Sequence, residues 1–231
     1  MKNITNPRKI FYALLLLPAL LSSCSKLQGT VTPTNIKPSQ TTSANSYQPV
    51  TMGSYWEYQY TSNGVTDTST TTMTGQMNIY DSKTFYEAST TFRSHKFPDA
   101  LSYYCQANDA YTKLTISSTD TLELYFFNDT TALNGTWFGK VNQSGIINGH
   151  QARFAGQIVE QNINFTVLGI TYNNVSHSKV YLQYSLGNNN YSTQQTYDLF
   201  IVKNIGVVAS YITDSSGNVT TSKQLIGYSI K

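Results

Sequence analysis

Tyr55-Trp56-Glu57-Tyr58-Gln59-Tyr60 carries Trp56, Tyr58 and Tyr60 on one side of an extended chain and Tyr55, Glu57 and Gln59 on the other. A period of two with one strongly apolar side marks a β-strand that buries one face. Ser62-Asn63-Gly64 closes it with a turn signal. The same grammar repeats outward. Met73 to Tyr80 and Thr84 to Phe92 flank the break Asp81-Ser82-Lys83, which reads as a hairpin. Ala110 to Ile116, Leu122 to Phe127, Gln151 to Val159 and Asn162 to Leu168 follow. Val180, Leu182, Tyr184 and Leu186 share one face of a further strand. Thr196 to Val202, Val207 to Ile212 and Val219 to Ile230 complete the run. The turns are short, so the strands predict an antiparallel meander, because parallel crossovers need a dozen residues or more.

The chain is therefore expected to be all-β, with about 11–13 strands. So many strands must curl or split into layers. The expected architecture is a strongly curved sheet, a half-barrel or a sandwich. Composition agrees. From Cys24 onward, Val, Ile, Thr, Tyr, Phe and Trp number 83 of 208 residues, while Ala, Leu, Glu, Lys, Met and Arg number 39. The first set suits a pleated surface and the second a helix. One short helix is expected at Pro98-Asp99-Ala100-Leu101, where Pro stands near a helix start.

The first residues read as an address rather than a fold. Lys2, Arg8 and Lys9 precede the apolar run Phe11 to Leu21. That run is shorter than the ~20 residues a membrane span needs, and with its basic start it reads as a secretory signal peptide over residues 1–23. Leu21-Ser22-Ser23-Cys24 resembles the lipobox of bacterial lipoproteins, which implies cleavage before Cys24 and lipid attached to it. Residues 24–46 are rich in Ser, Thr, Gln and Pro, and almost uncharged, which predicts a disordered tether. Residues 47–231 remain as a single all-β domain. Ser25 is not an acid, and by resemblance to proteobacterial sorting this implies the outer membrane. Surface lipoproteins of Bacteroidota often carry acids just after the Cys, whereas Ser25-Lys26-Leu27-Gln28-Gly29 has none, which favours a periplasm-facing domain. Cys105 is the other Cys and is expected to be a buried, inert thiol.

Removing the leader also removes the positive charge. The whole chain has 15 Lys and Arg against 12 Asp and Glu, but three of the basic residues lie in the leader. The remainder is neutral, which excludes the basic field that nucleic-acid binding requires.

A faint internal repeat runs at an offset of 81. Trp56, Gly64, Gly75 and Gln76 correspond to Trp137, Gly145, Gly156 and Gln157. It predicts two similar sheet units, each led by a Trp strand.

Pro49-Val50-Thr51-Met52-Gly53-Ser54-Tyr55-Trp56-Glu57-Tyr58 resembles the start of the globular domain in many Bacteroidota lipoproteins, where Pro-x-x-x-Gly-x-x-Trp-x-Tyr follows a lipobox and tether. Gly135-Thr136-Trp137 matches their later Gly-x-Trp, and Tyr197 to Gly206-Val207 matches an aromatic strand running into a Gly-Val turn. The resemblance implies an all-β domain in the cell envelope. It implies no activity and no catalytic residue.

The residues themselves point to no reaction. His95, His150 and His177 have none of the spacings of a zinc site. No nucleophile elbow or phosphate-cradling loop stands out. No cofactor, metal or catalytic residue is therefore expected. A carboxylate pair drawn from Asp120 and Glu123, or from Glu57 and a distant acid, keeps a glycan-directed hydrolase or esterase as an alternative. The first expectation is a non-catalytic binding or interaction module, and a purely structural envelope scaffold is the third. Trp56, Tyr58, Tyr60 and Trp137 are the candidate ligand-binding residues, because such rings stack on sugars or line apolar pockets. Packing within a Leu-poor core is the competing role for the same four. The expected partners are the membrane, through Cys24, and an apolar or glycan ligand.

Overall fold

The computed structural model describes residues 45–116 and 121–231, together with the backbone of Thr32–Pro33. The leader, Cys24 and most of the span read as a tether lie outside the described residues.

The strands are β1 (Thr32–Pro33), β2 (Tyr55–Ser62), β3 (Val65–Tyr80), β4 (Lys83–Phe92) and β5 (Ala100–Ala107). They continue with β6 (Ala110–Ile116), β7 (Thr121–Asn128), β8 (Thr136–Lys140), β9 (Ile146–Ile147) and β10 (His150–Val167). The last four are β11 (Ile170–Gly187), β12 (Asn190–Val202), β13 (Gly206–Asp214) and β14 (Val219–Ser229). Every pairing is antiparallel, and the described residues contain no helix.

The main sheet runs β7-β6-β5-β4-β3-β2-β14-β13-β12-β11-β10-β8, with β1 on β3 and β9 on β10. Because β14 pairs with β2, the last strand lies beside the first long one. The two sheet edges, β7 and β8, are consecutive along the main meander and come together. The result is an up-and-down barrel that is nearly closed, with twelve strands in its main path.

The seam between β7 and β8 is fastened largely by side chains. The indole Nε1 of Trp137 on β8 donates to the Tyr125 carbonyl on β7 at 3.2 Å. Ser178 on β11 donates its hydroxyl to the Phe126 carbonyl at 2.8 Å. One backbone bond crosses just beyond β8, from Glu123 N to Val141 O at 2.7 Å. Edge carbonyls that would otherwise be unpaired are thus satisfied.

The ladder registers sort the side chains into faces. Tyr58 stands opposite Leu225 and Ser69, and Tyr60 opposite Lys223. Lys223 faces Ser210, which faces Leu199 and then Ser178. Partners across an antiparallel ladder point the same way, so these residues share the interior face. The main core lies there: Phe126, Trp137, Phe154, Ile158, Val180 and Leu199 bury one part of it, and Trp56, Tyr58, Met73, Ala88 and Leu225 lie in another. A smaller cluster of Tyr80, Phe85, Tyr103, Cys105 and Leu114 packs on the opposite face of β3 to β6. Cys105 is 5% exposed, and burial pushes its thiol pKa up, as an inert thiol requires.

Three local readings change. Ala100 and Leu101 begin β5 rather than a helix. Asp99 Oδ1 accepts from Phe92 N across the loop at 3.3 Å, so this acid closes a turn. Gln151 to Leu168 is essentially one strand, not two. The polar stretch Glu160-Gln161-Asn162 that suggested a break is where β10 slips register against β11, with Asn162 at φ 56°. At the start of the domain, Asn45 and Ser46 already belong to the folded unit. Asn204 N donates to Ser46 O at 2.8 Å, and Ser46 is buried.

Candidate functional site

The four nominated aromatics share the interior face but not one site. Trp56 is 2% exposed, and its Nε1 donates to Ile205 O at 2.6 Å. Tyr58 is buried, and its hydroxyl donates to Val207 O at 2.9 Å. Both rings therefore fasten β2 to the β12–β13 turn. Gly206 in that turn has φ 103° and lies against Trp56 and Pro49. That left-handed backbone favours glycine. The quoted Pro49…Gly53…Trp56…Tyr58 and Gly206-Val207 motifs thus meet at one packing node. Trp137 belongs to the other interior cluster, at the seam. Tyr60 is only partly buried. It makes edge contacts with Phe92 at 5.2 Å and Phe97 at 4.8 Å.

Beside Tyr58 and Tyr60 lies a group that no sequence pattern singles out. Lys223 Nζ sits 5.5 Å from the Tyr60 ring centre and 5.9 Å from that of Tyr58. Lys113 follows from register on the same face: Tyr86 pairs with Tyr104, Tyr104 with Lys113, and Lys113 with buried Leu124. Its Nζ lies 5.9 Å from the Tyr104 ring centre. Tyrosine faces are electron-rich and attract an ammonium at this range. Neither lysine has a carboxylate partner among the described residues. Lys223 as a whole keeps some accessible surface, yet the packing around its ammonium desolvates it. Desolvation first, and then the charge of Lys113, bring the Lys223 pKa down to about 7.

Two interior hydroxyls are also unpartnered. Ser69 Oγ and Ser102 Oγ are buried without a hydrogen-bond partner among the described residues. Ser69 stands opposite Tyr58, and Ser102 opposite Ala88. Asp67, the acid opposite Tyr60, is engaged by the backbone. Its carboxylate accepts backbone N–H groups of Thr68, Ser94 and Lys96 at 2.7–3.2 Å.

The carboxylates named for hydrolysis are engaged elsewhere. Glu57 pairs with Arg93 and Glu123 with Lys83. Asp120 lies outside the described residues. Lys83 and Glu123 border an open surface pocket of about 220 Å³, lined also by Thr112, Tyr125, Phe138 and Lys140.

A second charged cluster sits on the opposite face. His177 is 8% exposed, and its ring stacks on Phe200 with centres 4.2 Å apart. Nδ1 meets Glu160 at 2.9 Å and Nε2 meets Asp198 at 2.8 Å. Lys179 Nζ is 3.2 Å from the same Asp198 oxygen. Burial opposes a charged ring, but the bonds to Asp198 and Glu160 outweigh it and raise the His177 pKa. Burial likewise opposes the Asp198 charge, and His177 and Lys179 overcome it, lowering that pKa.

The His177 contribution to stability is therefore complete below about pH 6.5, the ordinary histidine value, and is lost as pH rises through the raised folded-state pKa. Lys223 acts in the opposite sense, because its lowered pKa makes stability rise between about pH 7 and the ordinary lysine value of about 10.4. The difference between the wild-type chain and His177→Gln isolates the histidine. In urea unfolding, that difference is expected to be largest near pH 6 and to shrink as pH rises. A difference independent of pH would show that folding leaves the histidine pKa unshifted, and one that grows as pH rises would show a ring held neutral when folded.

No family model matches the chain, and no curated protein is similar to it. Solved structures do resemble it. One is a Bacteroides fragilis protein classed as exported, with a YmcC-like fold: TM-score 0.48, 11% identity, over 80% of this chain and 100% of that one. Another is a Parabacteroides distasonis protein classed as a lipoprotein: TM-score 0.48, 13% identity, over 80% of this chain and 99% of that one.

Proposed function

We propose that the protein is a lipid-anchored lipoprotein of the outer membrane, facing the periplasm, whose β-barrel is a non-catalytic binding module. The ligand is taken on the interior face beside Tyr58, Tyr60 and Lys223. One observation carries this reading: Lys113 and Lys223 stand over tyrosine rings on the interior face with no carboxylate partner among the described residues. An unpaired charge that packing desolvates costs stability. Groups that cost stability without structural return concentrate at functional sites. Trp56 supports the site as a wall, since its N–H is already committed to a backbone carbonyl, whereas Trp137 fastens the seam in the other interior cluster.

Titration of the full chain with an apolar probe (octanol) and a glycan probe (maltoheptaose), followed by intrinsic fluorescence, tests for binding at all. A screen against glycan and ester substrates tests the rival class. Turnover that disappears in Glu57→Gln or Glu123→Gln would overturn the non-catalytic reading.

The anchor rests on the lipobox and the leader preceding it. Acyl chains contribute ~0.8 kcal/mol per buried CH₂, so multiple acylation gives a stable anchor. Cys24→Ala is expected to move the protein from the membrane fraction to the soluble fraction. A variant that still pellets with membranes contradicts the anchor. Rapid proteolysis on intact cells would contradict the periplasmic orientation.

A further inference from the structure

We propose that this interior site takes an organic anion, a carboxylate or phosphate head held by Lys113 and Lys223 on a body packed against Tyr58, Tyr60 and Tyr104. The inference rests on the binding reading above and adds the chemistry of the ligand. Both ammonium groups lie over tyrosine rings on one face, with no carboxylate partner among the described residues. Asp67, the acid nearest in register, already receives backbone N–H groups from three residues.

Lysine only donates hydrogen bonds. Two lysines therefore recognise an acceptor, and an anion is the acceptor that also removes their mutual repulsion. The unpartnered hydroxyls of Ser69 and Ser102 add two further donors on the same face. A neutral glycan would leave both charges uncompensated. The body follows from the neighbours. Leu225 is fully buried next to Lys223 along the face, and Phe92 stands opposite Ser69. These surfaces favour an apolar or aromatic body over a bare inorganic ion. The lowered pKa of Lys223 fits the same picture, because desolvation and then the charge of Lys113 disfavour its ammonium form.

Lys223 lies toward the barrel end that carries the β2–β3 and β13–β14 turns, since its partner Tyr60 is two residues from the last β2 residue, Ser62. That end is the expected entrance.

The test is calorimetric titration of the full-length lipidated chain in neutral phosphatidylcholine vesicles, with empty vesicles as blank. The probes are octanoate, octyl phosphate, octanol and inorganic phosphate. Octanoate and octyl phosphate are expected to saturate, with octanol at least tenfold weaker. Lys223→Met is expected to weaken the anions at least tenfold and to raise the thermal midpoint, because it removes an unpaired charge. Lys223→Arg is expected to keep binding. A purely packing role for Lys223 predicts instead that Met leaves titrations unchanged.

Octanol binding as tightly as octanoate, unaffected by Lys223→Met, overturns the anion while leaving the binding module standing. Saturation by no probe overturns both. Inorganic phosphate matching octyl phosphate overturns the organic body.

Discussion

Trp56→Ala is expected to lower the unfolding free energy by about 4 kcal/mol, the range for truncating a buried large aromatic. The indole is 2% exposed and packs within the cluster that includes Met73, Ala88, Val208 and Leu225. Its loss removes that area and leaves a cavity that a closed barrel cannot easily collapse. It also strands the Ile205 carbonyl, which accepts the indole N–H at 2.6 Å. Trp56→Phe separates the two effects. It keeps most of the ring area and loses the donor, so it is expected to cost about 1–2 kcal/mol from the unmet carbonyl. Urea unfolding with an unchanged slope measures both. A cost below about 1 kcal/mol for the alanine variant would show that the ring is not a core element, and would return it to the list of ligand contacts.

Gly156→Ala should be nearly as damaging, although it adds a single methyl. Gly156 on β10 stands directly opposite Trp137 on β8. A Cβ built there falls within the indole, far inside van der Waals contact with its Cε2, Cζ2 and Nε1 atoms. The backbone at Gly156 is not left-handed, so the demand for glycine is purely steric. The ring must shift, and with it the Nε1 bond to Tyr125 that helps fasten the seam. Overpacking of this kind costs about 3 kcal/mol at the upper end of its usual range. A Trp137→Leu background provides the control. There the same methyl meets a smaller side chain, so most of its cost is expected to vanish as a coupling energy. Equal cost in both backgrounds would show that the penalty lies in the β10 backbone rather than in the indole.

Much of this architecture was legible because strand period and turn chemistry are local. The alternation Trp56, Tyr58, Tyr60 gives β2 its buried face, and Asn63-Gly64 gives its hairpin. The polar first half of β3 was harder. Val65 to Thr72 is mostly Thr and Ser on both faces, so no apolar alternation announces it. Thr71 and Thr90 instead meet through a buried hydroxyl pair at 2.8 Å. The same holds for the first half of β11, where Tyr172-Asn173-Asn174 gives no pattern.

The lysines were illegible for a different reason. Thr221-Ser222-Lys223-Gln224 reads as a solvated edge. Only the register that seats Lys223 against Tyr60 reveals that it points inward. Its partner Lys113 is 110 positions away in the chain. The His177 cluster was likewise invisible, since Glu160 and Asp198 reach the ring from two different strands. The offset of 81 pairs β2, which lies inside the sheet, with β8, which lies at its edge. Trp56 opens the run β2 to β7, and Trp137 opens β8 to β14. Its glycines differ in their work, though, with Gly75 at φ 83° in a bulge beside Met52 and Gly156 making room for an indole.

The meeting of β14 with β2 has a topological consequence. Lys231 N donates to Ser54 Oγ at 3.1 Å, so the segment after β14 returns to where the first long strand begins. Strand neighbours follow chain order all the way round, and the one junction without a ladder falls between β7 and β8. The fold is thus a ring whose covalent start is arbitrary. A circular permutant that joins Lys231 to Asn45 through a short linker and opens between Asp129 and Asn134 would keep every ladder of the main meander. In that permutant the seam would coincide with the new chain ends, and the barrel would become a single uninterrupted sheet rolled from one terminus to the other.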